Sequence, residues 1–140
     1  MLKISAQVKS RKGDHEVNLE TNGAIQSIEI VPKAGGYGSS VNGGELMFLA
    51  LATCYCNDIY REAKKRGIKV HNVQVEVTGD FNETAGSRAE NITYKALVEA
   101  EASEDAILEL MQYTDTVAEI HNTLRAGISV TLTSTTAISI

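Results

Sequence analysis

The sequence has little of several features that mark specialised classes of protein. It holds two cysteines and one proline among 140 residues. Its longest apolar run, 46–56, is about half of the ~20 residues that a membrane-spanning helix needs. The first residues form no signal-peptide core, and a net charge of −5 argues against binding to nucleic acid or to an anionic membrane. We therefore expect a cytoplasmic protein with free thiols and with no nucleic-acid or membrane partner.

The length and composition are those of one ordinary globular domain. At 15.1 kDa, with 43% hydrophobic and 22% charged residues, the chain can bury one core but has no room for a second. We predict a single domain over residues 1–140.

Apolar and polar residues alternate in the first part of the chain. This pattern predicts three antiparallel strands, at about 2–10, 14–21 and 24–31. Asn22-Gly23 is a hairpin signal, because both central residues of the favoured turn need a positive φ. Pro32 then opens a glycine- and serine-rich loop over 33–42, and loops of this length are usually functional or mobile.

A helix over about 43–66 is the central element of the prediction. Asn42 and Glu45 have the spacing of a capping box. The segment 64–67, Lys-Lys-Arg-Gly, has the cationic last turn and the glycine that are typical of a helix C-terminus. The run 46–56 is apolar on all faces, so we expect the helix to be buried on all sides there.

The rest of the chain predicts two long strands, two helices and a last strand. Alternation at 73–77 and 92–98 indicates strands joined by a loop at about 80–89. Ser103 is expected to begin a second helix, which breaks near Thr114. A short third helix, with Thr116 and Glu119 at capping-box spacing, then runs to Arg125 and ends at Gly127, and the final strand is predicted from Ile128, Val130 and Leu132. Because the strands come in runs, the order βββ-α-ββ-αα-β indicates an α+β fold.

Cys54 lies in the apolar part of the central helix, and two interpretations of it are open. A free cysteine in such a place is most often a small buried hydrophobe. The alternative is a reactive thiol, which needs a lowered pKa and a cationic or donor-rich surround. Cys56 points to nearly the opposite face of the helix, so a Cys54–Cys56 disulfide would require local unwinding.

Two segments carry a resemblance to a known family. Residues 43–54, Gly-Gly-Glu-Leu-Met-Phe-Leu-Ala-Leu-Ala-Thr-Cys, resemble the helix opening of the OsmC/Ohr hydroperoxide-handling family, and Leu46 and Cys54 keep its spacing between a leucine and the peroxidatic cysteine. Residues 121–128, His-Asn-Thr-Leu-Arg-Ala-Gly-Ile, resemble the segment after the family's second cysteine. The resemblance covers nearly the whole chain. It implies an intertwined homodimer, with antiparallel sheets around a long buried helix and active sites at the interface.

The resemblance also implies a chemistry for Cys54. In the family this cysteine attacks an organic hydroperoxide as a thiolate and becomes a sulfenic acid. Arg11 falls near the family's activating arginine, with an exposed turn residue as the alternative interpretation. The family's glutamate position is occupied by Gly44 here, so the adjacent Glu45 is the residue that could hold Arg11. Ala118 falls where the second cysteine should be, so an external thiol is the expected reductant.

The apolar residues before Cys54 predict a pocket that suits a lipid-like or aryl hydroperoxide. Its expected residues are Met47, Phe48 and Leu51, with His121. His121 is interpreted either as a cationic neighbour or weak base for Cys54, or as a structural histidine.

Two functions remain open at this point. The first is a thiol-dependent peroxidase with a single peroxidatic cysteine, acting in the oxidative stress response. The second is a non-catalytic dimeric module that binds a small apolar ligand or senses redox state. We expect no cofactor, and no metal either, because Cys54, Cys56 and His121 lack recognised ligand spacing.

Overall fold

The computed structural model describes residues 1–140 and divides into two compact units, Met1–Met47 and Phe48–Ile140. The elements are α+β with antiparallel sheets, as predicted. The expectation of a single domain stays a prediction. No helix combines the length and the apolar character that crossing a membrane requires.

The first unit carries a three-stranded antiparallel sheet in the order β1-β2-β3. Its strands are β1 Ile4–Arg11, β2 Asp14–Thr21 and β3 Ala24–Ile28, which confirms the three predicted strands, although β3 ends earlier than expected. Asn22 and Gly23 have φ of 47° and 86°, as the predicted turn requires. No side chain of this unit is buried.

The glycine-rich loop after β3 is held by backbone hydrogen bonds. Pro32 and Ser39 form an isolated bridge, and the Gly36 amide donates to the Lys33 carbonyl at 2.7 Å. The Gly13 amide, in the β1–β2 turn, donates to the Gly36 carbonyl at 2.6 Å. The loop is therefore attached to the neighbouring hairpin.

Helix α1 spans Gly43–Lys65, one residue shorter than predicted. The capping box is confirmed, because the Asn42 amide donates to Glu45 Oε1 at 3.0 Å and the Glu45 amide donates to Asn42 Oδ1 at 2.8 Å. One face of α1 is buried, and its members are Leu51, Tyr55, Asp58, Ile59, Glu62 and Ala63. Leu49 on the opposite face is 58% exposed. Burial of the helix on all sides would need a second chain and stays a prediction.

In the second unit, α1 and the helix that follows the second strand pack on one face of a two-stranded sheet. Strands β4 Lys69–Asp80 and β5 Glu90–Glu101 pair antiparallel, with the loop between them where the sequence placed it. Alternate side chains of these strands pack against the core, as period-two alternation requires. The buried core residues are Tyr55, Ile59, Ala63 and Leu110.

Helices α2, Glu104–Val117, and α3, Glu119–Ala126, differ from the prediction at their junction. Ser103 caps α2 as expected, since its hydroxyl accepts from the Ala106 amide at 3.2 Å. The predicted break near Thr114 is wrong, because Thr114 is fully buried and its hydroxyl donates to the Leu110 carbonyl at 2.7 Å within the helix. The chain breaks instead at Ala118.

Of the two predictions for the ends of α3, the one for the N-terminus is wrong and the one for the C-terminus is confirmed. The capping box of Thr116 and Glu119 is wrong, since the Thr116 hydroxyl donates to the Tyr113 carbonyl and the N-cap is Ala118, which has no capping side chain. Gly127 ends the helix in the left-handed conformation, with a φ of 63°, as expected.

The predicted last strand is not formed. Residues 127–140 have no regular secondary structure, and Ile128, Val130 and Leu132 are 63%, 99% and 82% exposed. The alternating pattern suits a strand, but a strand also needs a neighbour that accepts and donates its backbone hydrogen bonds. No strand of the chain pairs with this segment.

We expect Ile59→Ala to lower the free energy of unfolding by about 2–5 kcal/mol, because the fully buried side chain leaves a cavity. Leu108→Ala, at a position 52% exposed on α2, should cost about 1 kcal/mol or less. Urea denaturation followed by circular dichroism measures both. Equal losses for the two variants would contradict this description of the core.

Candidate active site around Cys54

Helix α1 places Cys54, Asp58 and Arg61 along one side, because residues three and four apart are neighbours on a helix surface. Cys54 is half-buried and Asp58 is buried, at 5% exposed. The spacing brings a thiol, a carboxyl group and a guanidinium together within two helical turns.

The first turn of α3 completes the site. The Cys54 thiol lies 3.7 Å from Asp58 Oδ2 and 3.8 Å from Glu119 Oε2, so its proton can be donated to either carboxylate. Backbone hydrogen bonding from Ile120 and Glu119, at the start of α3, lowers the pKa of the same thiol. A helix N-terminus favours negative charge, so these amides stabilise a thiolate.

Arg61 holds the two carboxyl groups together. Its Nη1 lies 3.0 Å from Asp58 Oδ1 and 2.9 Å from Glu119 Oε1. Its Nε donates to Glu62 Oε2 at 2.9 Å. The guanidinium offsets the repulsion between two carboxylates that meet beside the sulfur, and it links α1 to α3.

The two carboxyl groups differ in proton affinity. Burial, with hydrogen bonding and charge from Glu119 in addition, raises the pKa of Asp58 to about 6. The hydrogen bond from Asp58 lowers the pKa of Glu119. A proton shared by the pair therefore resides on Asp58, which is the group able to exchange it near neutral pH.

The thiol itself is not activated in this arrangement. Burial raises the pKa of Cys54, the Ile120 and Glu119 amides lower it, and the negative charges of Asp58 and Glu119 raise it further. The net direction is upward, so the protonated thiol predominates near neutral pH. Reaction as a thiolate would need a base, and Asp58 is placed to be one.

His121 lies on α3 among aromatic rings. It is 4% exposed, its ring centroid is 4.8 Å from that of Tyr94, and neither ring nitrogen has a hydrogen-bond partner. Burial, followed by the charge of Arg125, lowers its pKa, while Asp115 opposes that change. The neutral imidazole is therefore favoured, which does not suit a cationic neighbour for Cys54.

The structure places only two of the four predicted pocket residues in one cleft. Leu51 and His121 line the same cleft, whose volume is about 440 Å³. Phe48 packs instead against Phe81, with ring centroids 5.6 Å apart. Its ring lies so close to Gly79 that an added Cβ would come within 2.7 Å of it. Met47 belongs to the first unit and lines no part of this cleft.

Arg11 and Glu45 both lie in the first unit. Arg11 ends β1, opposite Asp14 in the β1–β2 register, and its exposed side chain makes no ion pair. Glu45 is exposed, and its carboxylate accepts the Asn42 amide in the capping box. These contacts neither confirm nor contradict the predictions that Arg11 activates Cys54 and that Glu45 holds Arg11.

The cluster around Cys54 also has the composition of a cation site. One ligand atom each from Cys54, Asp58 and Glu119 lies within 4.8 Å of the others. Arg61 already occupies both carboxylates as a counter-cation.

Asp58, Arg61 and Glu119 were not among the site residues predicted from the sequence. The signal for the first two was available, because they follow Cys54 by four and seven residues on a helix. Glu119 is 65 residues from Cys54 along the chain, and only packing of α3 against α1 brings their side chains together.

The fold and the site define an α+β protein with a helix-borne thiol between two carboxyl groups. The model of the family described as OsmC-like protein matches residues 36–133, and the chain belongs to this family. Arg11 lies outside the matched segment. A search of curated protein sequences found no significant match.

Solved structures share the fold at low identity. An OsmC-like protein from Mycoplasma pneumoniae is 19% identical, with 88% of this chain and 89% of that chain covered and a TM-score of 0.59. A hypothetical protein from Aquifex aeolicus VF5 is 16% identical, with coverage of 91% and 89% and a TM-score of 0.63. The organic hydroperoxide resistance protein OhrB of Bacillus subtilis is 18% identical, with coverage of 88% and 92% and a TM-score of 0.52.

We expect the pH midpoint for alkylation of Cys54 by iodoacetamide to lie above that of the same cysteine in an unfolded peptide, because burial and nearby carboxylates disfavour the thiolate. The measurement uses Cys56→Ser, which leaves one thiol. Adding Asp58→Asn should move the midpoint downward, since it removes a negative charge. A midpoint below that of the peptide would contradict the described surroundings of the sulfur.

Proposed function

We propose that this protein is a thiol-dependent peroxidase that reduces organic hydroperoxides through Cys54, in the cytoplasm and as part of an oxidative stress response. The observation that carries the proposal is the position of the Cys54 sulfur, which lies 3.7 Å from Asp58 Oδ2 and 3.8 Å from Glu119 Oε2 in the first turn of α3. Membership of the OsmC-like family supports it. So do relatives of the same fold that are described as organic hydroperoxide resistance proteins.

In the proposed first step, Asp58 takes the proton of the Cys54 thiol as the sulfur attacks the outer oxygen of the hydroperoxide. The amides of Glu119 and Ile120 stabilise the thiolate while it forms. The O–O bond breaks, the leaving alkoxide takes the proton from Asp58 and departs as an alcohol, and Cys54 becomes a sulfenic acid. A carboxyl group with a pKa of about 6 can both accept and return a proton near neutral pH.

The second step needs a reductant from outside the chain. Ala118, at the position expected for a second cysteine, is fully buried beside Glu119 and has no thiol. Two molecules of an external thiol would reduce the sulfenic acid, giving water, a disulfide and the restored Cys54 thiol. No protein disulfide is required, and both cysteines are free.

Arg11 and Glu45 have secondary roles in the proposed mechanism. The Arg11 guanidinium has no ion pair, so it is free to bind a carboxylate or a polarised peroxide oxygen. Glu45 already serves as the capping residue of α1, and a role in holding Arg11 would compete with that hydrogen bond. Arg61 is the cation that we propose to organise the site.

The non-catalytic alternative has a specific observation in its favour. The raised pKa of Cys54 and the presence of alanine in place of a cysteine at position 118 both suit a module that binds a ligand or senses oxidation without turnover. Leu51 and His121, which line the same cleft, are the residues proposed to receive the apolar part of either a hydroperoxide or such a ligand. The kinetics of Cys54 oxidation decide between the two functions.

We expect reduced protein to lose the Cys54 thiol within seconds of adding one equivalent of cumene hydroperoxide, with a sulfenic acid trapped at that residue. Cys54→Ser should show no such reaction, whereas Cys56→Ser should react normally. Asp58→Asn should slow the oxidation by about 100-fold, although its thiol pKa is lower, because the proton shuttle is lost. A faster reaction in Asp58→Asn would refute the shuttle, and oxidation no faster than that of free cysteine would favour the non-catalytic module.

We also propose that the protein is a homodimer. On the exposed side of α1, five residues recur at alternating spacings of three and four, which is the spacing that packs one helix along another: Leu46, Leu49, Thr53, Cys56 and Tyr60. Leu46, Leu49 and Tyr60 are 38%, 58% and 46% exposed. A second copy of α1 would cover this stripe.

Unpaired β-structure supports the same assembly. The two-stranded sheet of β4 and β5 has open edges, and sheets this small are marginal in water. The apolar alternation of 128–132 has no strand beside it. In a dimer, an open edge and an unpaired segment can satisfy each other.

We expect wild-type protein to sediment as a dimer at micromolar concentration. Leu49→Glu should sediment as a monomer, because a charge in the helix stripe would be buried without a partner. Leu97→Glu is the matched control, since Leu97 is 45% exposed on the outer face of β5, and it should remain dimeric. A folded wild-type monomer would contradict the proposed dimer.

A further inference from the structure

The imidazole of His121 is buried without hydrogen-bond partners. The side chain is 4% exposed, and both Nδ1 and Nε2 lack a partner. Buried polar groups in proteins nearly always have one, and an orphan group carries a desolvation cost that a ligand can relieve. The chemistry proposed for Cys54 gives these nitrogens no role.

His121 lines the cleft of about 440 Å³, a volume within the usual range of small-molecule sites. Four of the eight residues that line the cleft have aliphatic side chains: Leu51, Val77, Ile92 and Leu124. The cleft therefore combines an apolar wall with a single orphan imidazole.

The other polar residues of the cleft already have partners. The Tyr94 hydroxyl donates to Asp115, and Arg125 Nη2 lies 2.8 Å from the same carboxylate. Thr93 Oγ1 lies 3.3 Å from Thr78 Oγ1. Because Arg125 is paired with Asp115, the cleft presents no uncompensated charge to attract an ionised ligand.

A neutral imidazole offers one N–H donor and one nitrogen acceptor. Burial favours that neutral form, since it lowers the pKa of His121. A hydroxyl group matches it with a single functional group, because it can donate to the bare nitrogen or accept from the N–H. A carboxylate can only accept, and it would bring a charge that nothing in the cleft compensates.

We propose that this cleft binds a small uncharged alcohol or phenol, with its hydroxyl on His121 and its apolar body against the aliphatic wall. The proposal does not rest on the peroxidase function, since Cys54 does not line the cleft. A Cys54→Ser protein should therefore bind the same ligands as the wild type.

The test compares three probes of matched shape by isothermal titration calorimetry: 4-tert-butylphenol, 4-tert-butylanisole and 4-tert-butylbenzoate. We expect the phenol to bind at least tenfold more tightly than the ether or the carboxylate. His121→Phe, which keeps a ring but removes both nitrogens, should lose at least tenfold in phenol affinity. Leu124→Trp fills the cleft from a half-exposed position and should abolish binding.

A second measurement does not depend on any variant that has to fold. The imidazole ¹⁵N resonances of His121 in wild-type protein should shift on adding the phenol, while those of the exposed His71, which contacts Glu101, should not. Equal binding of the phenol and the ether, tightest binding of the carboxylate, or no binding of any probe would overturn the proposal. Loss of phenol binding in Cys54→Ser would overturn its independence from the thiol site.

Discussion

The packing of one face of α1 is the constraint on which the rest of this molecule depends. Ile59 and Tyr55 must lie against Leu110 and the inner face of β4 and β5, and this requirement fixes the rotation of the helix about its own axis. Since each residue advances about 100° around a helix, one fixed face determines all the others. The same rotation directs Cys54 toward α3 and leaves Leu49 on the exposed side.

Charge at the junction of α1 and α3 then controls the chemistry of the thiol. Two carboxyl groups beside a half-buried sulfur would repel each other and suppress the thiolate without compensation. Arg61 supplies a cation to both, and the amides at the start of α3 supply local positive charge to the sulfur. The result is a protonated thiol with a base beside it, in contrast to a cysteine that is ionised at rest.

Much of the secondary structure could be predicted because its signals are local. Strand alternation, the Asn22-Gly23 turn, the capping box of Glu45 and the Ser103 cap each depend on residues close in sequence, and each is confirmed. The failures occurred where tertiary contacts decide. Burial of Thr114 carried α2 past its predicted end, and the segment after Gly127 has apolar alternation but no neighbouring strand.

The sequence by itself determined the order of the elements up to the end of α3, the family, and the placement of Cys54 on a helix face shared with Asp58. It could not determine the electrostatic surroundings of the thiol, because Glu119 and the α3 amides reach Cys54 only through folding. Nor could it determine that His121 is buried without a hydrogen-bond partner. Helical periodicity can be recognised from the spacing of residues along the sequence. In contrast, pKa values and unpaired buried polar groups depend on which distant residues become neighbours in the fold.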